Sequence, residues 1–205
     1  DGRKGFIVKL GGYTLFGDQN STFYQEVYVS FSFKPSKSIL ISLNPSYSIN
    51  TNKLQVVDNI ELNNGTTKYL RSSIRQKTYV LSLRLEYSIN PELSVQYYGR
   101  PYFTSGKYNH YKYISNPRAS KYTNRFIAYL PSQISYNAVD EEYLVDETSD
   151  GVADYSFSNP NFNFMDLQSN LIVRWEYRPG STVFFVWTSG KQAYESTYSR
   201  SLNND

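Results

Sequence analysis

The sequence predicts an all-β fold: an antiparallel, up-and-down transmembrane β-barrel, of which residues 1–205 supply about seven strands. Three observations support this prediction. Extended segments of about a dozen residues alternate apolar with polar side chains, which is typical of strands with two different faces. The chain holds 21 Tyr and 12 Phe. Its connections alternate between short turns and long polar segments. Because a soluble sheet can show the same alternation, the alternation alone does not place the chain in a membrane.

The composition narrows the class of protein. Mean hydropathy is −0.55 despite the many aromatics, as in transmembrane barrels, where only alternate residues contact lipid. A net charge of +3 gives no argument for a nucleic-acid partner. The chain has no cysteine, so it has neither disulfides nor a thiolate metal site. The first residues do not form a signal peptide, and we expect the chain to be part of a longer protein.

The predicted strands have the length that a tilted strand needs to cross a bilayer, about 9–11 residues, plus a rim. They lie at 5–16, 23–34, 38–49, 78–89, 93–104, 167–178 and 182–189. The second strand illustrates the pattern, with Val27, Val29 and Phe31 on one face and Glu26 and Tyr28 on the other. Seven strands are not an even number, whereas bacterial single-chain barrels have an even number. The remaining strands are therefore expected outside this sequence.

The short connections at 35–37, 89–91 and 179–181 are predicted to be three-residue loops. Such loops put the apolar residues of adjacent strands on a common face, since cross-strand partners share a face. The predicted partners are Phe33 with Ile39, Tyr87 with Leu93, and Tyr177 with Val183. A two-residue loop at 179–180 would instead place Val183 beside Glu176.

The other end of the strands has longer connections, at 17–22, about 50–77 and 105–166. Short turns on one side and long polar loops on the other are typical of outer-membrane barrels, with the long loops outside the cell. Pro45 and Pro101 fall near this long-loop rim, where a missing ladder hydrogen bond costs least. Aromatics are predicted to form a girdle near each end: Phe33, Tyr87 and Tyr177 on the turn side, Tyr47, Tyr97 and Phe103 on the other.

Two stretches also resemble a known family. Residues 159–189 contain the runs NPNFNF, SNLIVRWEYRPGST and VWT, and residues 97–108 read YYGRPYFTSGKY. These runs resemble the C-terminal barrel of a Bacteroidota outer-membrane family of unassigned activity, in which a carbohydrate-binding family 9-like domain precedes the barrel. The resemblance covers roughly the second half of the chain. It implies a bacterial outer-membrane location, contact with membrane lipid and with other outer-membrane or surface proteins, and a link to glycan handling.

Charged residues recur on the face predicted to line the barrel interior. They are Glu26, Arg84, Glu86, Arg100, Arg174, Glu176 and Arg178. Buried charges need partners, so neighbouring Arg and Glu are expected to form an ion-pair ladder across the wall. Two interpretations stay open. The ladder could fill and stiffen the interior, or it could form a constriction that selects solutes by charge.

The segment 140–154 contains seven of the 18 acidic residues and no Lys or Arg. Within it, Asp146, Asp150 and Asp154 have spacings similar to positions 1, 5 and 9 of a calcium-binding loop. Phe157 stands where such a loop needs its bidentate glutamate. A solvated hairpin turn between two short strands, 143–145 and 153–157, is therefore the favoured interpretation, with calcium binding as the alternative.

No catalytic motif is present: neither GxSxG, HExxH nor a glycine-rich phosphate loop occurs. His110 is expected to be a solvated loop residue. Tyrosines of the long connection could stack on sugar rings or pack the connection over the barrel mouth, and packing is favoured. They are Tyr108, Tyr111, Tyr113, Tyr122, Tyr129 and Tyr136. The function expected is transport or surface scaffolding in the outer membrane. The alternatives are a surface glycan-binding β-sandwich and a hydrolase using the loop carboxylates.

Overall fold

The structure, a computed structural model, describes residues 5–62 and 64–195 and is built almost entirely of antiparallel β-strands. The strands are β1 Phe6–Phe16, β2 Thr22–Ser36, β3 Ile39–Glu61, β4 Thr67–Ser88, β5 Leu93–Ile114, β6 Phe126–Ala128, β7 Ile134–Asn137, β8 Glu142–Val145, β9 Tyr155–Ser158, β10 Phe162–Arg178 and β11 Ser181–Glu195. Two short 3-10 turns lie at Asp18–Asn20 and Tyr122–Asn124. In the described parts of the chain, no helix is long and apolar enough to cross a membrane.

Seven long strands form one sheet in the order β1-β2-β3-β4-β5-β10-β11, and the short strand β6 extends it beside the end of β5. Strands β7, β8 and β9 form a second, small antiparallel sheet. The predicted all-β antiparallel class and the seven long strands are confirmed.

The strands are longer than predicted, and the expected loop at about 50–77 was wrong. β3 continues to Glu61 and β4 begins at Thr67, so only a tight turn separates them. Likewise β5 continues to Ile114 and β10 begins at Phe162, which shortens the expected loop 105–166. Register shifts near residues 52–58 insert extra residues into β3. Such bulges interrupt the two-residue period, and this explains why the extensions carried no strand signal.

Two of the three predicted turns are shorter than predicted, whereas the β4–β5 turn is longer, since Ser88 is opposite Ser94. Arg178 is opposite Ser181, which leaves a two-residue turn, and a bulge follows because Glu176 is opposite Thr182. The bulge adds one residue and thereby keeps the apolar faces together, with Trp175 opposite Val183. The turn after Ser36 is built in the same way: Ser36 is opposite Ile39, and a bulge lies between Phe33 and Ser36. The predicted partners were thus wrong by two residues, while the predicted faces were correct.

The pairing register gives the main sheet two chemically different faces. One of them we call the apolar face. At the end where the chain turns after Ser36, Ser88 and Arg178, which we call the turn end, this face carries Ile39, Tyr87, Val95, Val173 and Phe185. At the other end it carries Val27, Tyr47, Tyr79, Phe103, Met165 and Ala193. The opposite, polar face carries mainly Ser, Asn, Thr, Gln, Tyr and charged side chains. Along β4 the apolar stretch runs from residue 79 to residue 87, which spans about 30 Å at the usual rise of a strand.

Most of the apolar face is uncovered. Leu10 is 80% exposed, Phe185 58% and Trp187 47%. The cluster of buried hydrophobic residues lies elsewhere, where Val145 and Phe157 of the small sheet pack against Leu70. Among the described residues, no second layer packs on the apolar face.

Gly106 offers a direct test of the β5–β10 register. It lies opposite Phe162, and a Cβ added there would come within 3.0 Å of three atoms of the Phe162 ring. We expect Gly106→Ala to lower the free energy of unfolding by about 1–3 kcal/mol, the usual range for overpacking. Equilibrium unfolding measures the change.

Gly190→Ala is the matched control, since an added Cβ there meets no atom within 4 Å. It should change stability by less than about 0.5 kcal/mol, as surface substitutions usually do. Equal effects of the two variants would contradict the register.

Candidate functional site

The polar face forms the wall of a cavity of about 450 Å³. Strands β2 to β5 contribute its polar lining: Tyr24, Glu26, Tyr28, Ser30, Asn44, Ser46, Ser48, Thr78, Ser82 and Arg100. A volume of this size lies within the range of small-ligand sites. Hydroxyl and amide groups dominate the lining, so the cavity suits a hydrated or polar solute better than an apolar one.

Glu26 is the acidic group of this cavity. Tyr24 donates a hydrogen bond to its carboxylate at 2.6 Å, and Tyr13 of β1 donates another at 2.9 Å. Phenol donors thus satisfy the carboxylate, whereas the sequence predicted an arginine partner for it. Arg100, which reaches the same cavity from β5, supplies a positive charge on the wall.

The other charges pair within strands and do not form a ladder across strands, so that prediction was wrong. Arg84 lies 3.6 Å from Glu86, and Arg174 lies 3.1 Å from Glu176. The residues of each pair are two positions apart and so share a face. The register explains the difference, since it places Tyr98 opposite Arg84 on β5. The first pair is well exposed and contributes little to stability.

Arg178 does not join the other charges. The bulge at the end of β10 places it opposite Ser181, whereas Glu176 is opposite Thr182. Because Ser181 and Thr182 are neighbours on one strand, Arg178 and Glu176 fall on opposite faces. Six of the seven predicted residues therefore lie on the polar face, and the seventh lies at the turn.

The small sheet covers the end of the polar face away from the turns. Leu70, Ser72 and Ile74 lie on the same face of β4, two positions apart, and all three are buried. This face is the continuation of the polar face, where the Gln76 amide donates a hydrogen bond to the Thr104 hydroxyl at 2.9 Å. Val145 and Phe157 of the small sheet join Leu70 in one cluster.

Tyrosines of the segment 105–166, of which Tyr111 and Tyr113 lie at the end of β5, complete this cluster, in agreement with the predicted packing role. The Tyr111 ring lies 4.7 Å from that of Tyr143 and 5.1 Å from that of Phe157. Tyr113 packs on Tyr129 at 5.5 Å. Burial raises the pKa of the Tyr111 hydroxyl well above its ordinary range. His110, by contrast, is exposed, and its φ of 55° marks an irregularity of β5 beside the cluster.

A polar anchor joins the small sheet to β4. The ammonium of Lys68 lies 2.7 Å from the Glu147 carboxylate. Tyr155 and Tyr129 donate to the same carboxylate at 2.7 and 3.1 Å and also contact each other. Burial raises the pKa of Glu147, but the hydrogen bonds from Lys68, Tyr155 and Tyr129 outweigh it and hold the pKa below its ordinary value. The anchor is therefore charged at neutral pH.

The predicted hairpin turn is confirmed, since Tyr143 is opposite Phe157 and Val145 is opposite Tyr155. In the turn, Asp146 accepts hydrogen bonds from the backbone N–H of Gly151 at 2.8 Å and of Asp150 at 3.2 Å. These donors, that of Gly151 first, hold the pKa of Asp146 below its usual value.

The carboxylates of Asp150 and Asp154 also accept backbone N–H groups, from Val152 at 2.9 Å and from Glu147 at 2.7 Å. Each of the three aspartates thus stabilises the turn. The described residues contain no group of three or more ligand side chains arranged around a common point. Calcium binding by Asp146, Asp150 and Asp154 stays a prediction.

Comparisons of the chain with protein-family models, with curated proteins and with solved structures found no match. Two parts of the site geometry carried no sequence signal. The hydrogen bond of Tyr13 to Glu26 depends on the β1–β2 register, and the Lys68–Glu147 pair joins residues 79 positions apart.

The anchor predicts a pH dependence of the small sheet. Because the folded pKa of Glu147 lies below the ordinary value of 4.5, its bonds stabilise the fold above that value and are lost as pH falls through the folded pKa. Glu147→Gln should lower the local stability of 134–158 at neutral pH by about 1–3 kcal/mol. It should also flatten the dependence on acid. Hydrogen exchange of these backbone amides measures both effects.

Glu92→Gln, in the turn at the opposite end of the sheet, is the matched control and should leave exchange in 134–158 unchanged. Identical acid profiles for the wild type and Glu147→Gln would show that the anchor does not hold the small sheet.

Proposed function

We propose that this chain forms part of the wall of a β-barrel in the bacterial outer membrane, and that the protein works in transport across that membrane or as a surface scaffold. One observation carries the proposal: a mainly apolar band, nine residues tall on β4, runs across one face of seven adjacent strands, and among the described residues no second layer packs on it. Soluble monomers rarely expose apolar patches larger than a few hundred Å². A face of this kind needs an apolar environment, and lipid provides one.

The height of the band fits a bilayer. Nine residues span about 30 Å along a strand. At the tilt of about 40° that is usual in membrane barrels, this gives a vertical height of about 23 Å, close to the apolar band of about 25 Å in such proteins. The strand extensions beyond the band carry polar residues and would lie in water.

The rims of the band support the same proposal. At the end away from the turns, Tyr47 packs on Tyr79 at 4.7 Å, and Tyr79 packs on Phe103 at 6.1 Å. At the turn end, the rings of Trp175 and Tyr177 lie 6.0 Å apart. Rows of Tyr and Trp at both ends of an apolar band are typical of membrane–water interfaces.

One polar residue inside the band has a hydrogen-bond partner there. Ser169 lies in the middle of the apolar face and donates a hydrogen bond to the Tyr97 hydroxyl at 3.0 Å. Gly99, opposite Ser169, leaves room for the Tyr97 ring, whose nearest atoms would lie 3.0–3.4 Å from an added Cβ. Such pairing is required where water cannot serve as a partner.

The directions of the edge strands show what closure would need. Each strand of the sheet is antiparallel to the next, so β1 and β11, the first and seventh in order, run in the same direction. Antiparallel closure therefore takes an odd number of further strands between these edges, which gives an even total, as in bacterial barrels.

The interior would then be the polar face, with the cavity of Glu26 and Arg100 on its wall and the small sheet over its outer end. This arrangement favours a solute pathway along the polar face whose outer end is covered by the small sheet. The resemblance to the Bacteroidota family is the support for a link to glycans. The connection tyrosines support the sugar-stacking alternative less well, because several of them, including Tyr111, are engaged in packing.

A pair of neighbouring variants tests the membrane location. Leu43 lies on the apolar face midway along the band, opposite Phe31 and Leu83, whereas Asn44 lies on the polar face. Leu43→Arg should destabilise the protein in lipid vesicles by about 2–4 kcal/mol, the cost of Arg near the bilayer midplane. Asn44→Arg should cost about 1 kcal/mol or less. Unfolding in vesicles of the intact protein measures both.

Two results would overturn the membrane proposal. One is an intact wild-type protein that stays monodisperse in buffer without detergent. The other is a Leu43→Arg variant no less stable than Asn44→Arg.

Conductance separates transport from scaffolding. In planar bilayers, Arg100→Glu in the intact protein should shift ion selectivity toward cations, because Arg100 lies on the cavity wall. Arg178→Glu makes the same charge change at the turn and should not shift it. If the wild type shows no conductance, the scaffolding role remains and transport is excluded. If both variants shift the ion selectivity equally, the cavity is excluded as the pathway.

A further inference from the structure

The hydrogen bonds of Glu26 occupy only one of its two carboxylate oxygens. Tyr13 and Tyr24 both donate to Oε2, at 2.9 and 2.6 Å. Within residues 5–62 and 64–195, no group donates to Oε1 and no cation forms an ion pair with Glu26. Glu26 is half-buried. Because a charge that leaves bulk water needs partners, Oε1 is an acceptor available to a positively charged donor in the cavity.

Arg100, on the same cavity, makes neither a hydrogen bond nor an ion pair with any described residue. It is half-buried and lies opposite Gln168 of β10. The acidic residue next along that face, Asp166, instead accepts a hydrogen bond from the Gln168 amide at 3.0 Å. The N–H donors of the Arg100 guanidinium are therefore available to an anion, and a carboxylate fits them in a bidentate manner.

The cavity wall around these two charges carries small polar side chains that have no hydrogen-bond partner in the described part of the chain. They are Ser30, Asn44, Ser46, Ser48 and Ser82. Ser48 is directly opposite Glu26. Hydroxyl and amide groups both donate and accept hydrogen bonds. The wall therefore offers unused donors and acceptors between one charge and the other.

Glu26 and Arg100 are too far apart to pair with each other. Glu26 is opposite Ser48, in a pairing row that reaches β5 at Thr104. Arg100 lies four residues from Thr104 along β5. Three strand spacings and four residues give about 20 Å between the Cα atoms of the two charged residues. Both side chains line one cavity of about 450 Å³, which is roughly 10 Å wide if it is compact. A ligand that contacts both therefore has to carry its own two charges at opposite ends of this width.

This width selects the length of the ligand. In a free amino acid the ammonium and carboxylate groups flank a single carbon atom, so one molecule cannot reach both residues. An extended chain spans at most about 3.3–3.6 Å per residue, so the ends of a peptide of about three residues lie about 10 Å apart.

We propose that this cavity binds a short peptide, about three residues long, in its zwitterionic form. The α-amino group would bind to Oε1 of Glu26 and the α-carboxylate to the guanidinium of Arg100. The peptide N–H and C=O groups would bind to the serine hydroxyls and the Asn44 amide between them. The inference rests on the transport function proposed above for the role of the cavity, and it adds the class of solute.

Peptides with blocked ends test the proposal. The intact protein in detergent is titrated near neutral pH, by calorimetry, with triglycine, N-acetyltriglycine, triglycine amide and the peptide blocked at both ends. Triglycine should bind most tightly. Blocking either end should weaken binding by about tenfold or more, the usual contribution of a hydrogen bond to a charged group. A doubly blocked peptide that binds as tightly as triglycine, or a wild type that binds none of the four, would overturn the proposal.

Two variants assign the ends of the peptide. Arg100→Gln should bind triglycine about tenfold or more weakly and should no longer distinguish it from triglycine amide. Glu26→Gln, which keeps an acceptor for the two tyrosines, should no longer distinguish triglycine from N-acetyltriglycine. Each variant should retain the discrimination at the other end. Wild-type discrimination at both ends in both variants would show that the peptide binds elsewhere.

Lys9→Gln is the matched control. Lys9 lies on β1 opposite Ser30, outside the cavity lining, and it is exposed. The variant changes the net charge as Arg100→Gln does and should bind the four peptides as the wild type does. An equal loss of triglycine binding in Lys9→Gln and Arg100→Gln would attribute the binding to net charge and overturn the site.

Flotation with phosphatidylcholine vesicles separates this inference from the membrane proposal. A protein that binds triglycine but does not float with the vesicles contradicts the membrane location alone. A protein that floats but does not distinguish the four peptides contradicts the peptide site alone.

Discussion

The structure depends on a single constraint, the two-residue alternation of side chains, which has to be kept in step across seven strands. A strand that slips by one residue exchanges its two faces completely. The tight turns are the places where a slip would begin. Two of them contain an even-length loop that would exchange the faces, and in both a bulge adds the residue that restores them, after Phe33 and after Glu176. The continuous apolar band exists because these bulges do.

This explains which parts of the fold the sequence could predict. Along most strands of the band, apolar and polar residues alternate so regularly that the strands and their faces follow from the pattern; β11, which is apolar at every position from 183 to 187, is the exception. Loop lengths do not, because a three-residue loop and a two-residue loop with a bulge keep the same faces together. Beyond the band the pattern fades for a physical reason. The extensions of β3 and β5 contain register shifts, and both of their faces meet polar surroundings or the small sheet. Alternation is then no longer required.

The same reasoning applies to the candidate site. The face of a charged residue follows from its position in a strand, and six of the seven charges lie on the polar face of the sheet. Their partners do not follow from the sequence. The residue opposite a charge on the next strand depends on the pairing register, and the register depends on the length of the connecting loop. Arg84 faces Tyr98 for this reason and pairs with Glu86 of its own strand. The Lys68–Glu147 pair could not be predicted from the sequence at all, since it joins two sheets whose relative position no local pattern encodes.

Along its length the sheet is stabilised in two different ways. At the end covered by the small sheet, Leu70, Tyr111, Val145 and Phe157 are buried by the chain itself, so this end has its own hydrophobic core. In the band, side chains such as Leu10 and Phe185 stay more than half exposed. Each Å² of apolar surface left in water forgoes about 25 cal/mol. The band therefore gains this free energy only from an apolar environment, whereas the covered end does not need one. On the proposed membrane location, the row of Tyr79 and Phe103 is where the boundary between lipid and water would lie, because the band ends at this row and the covered end begins beyond it.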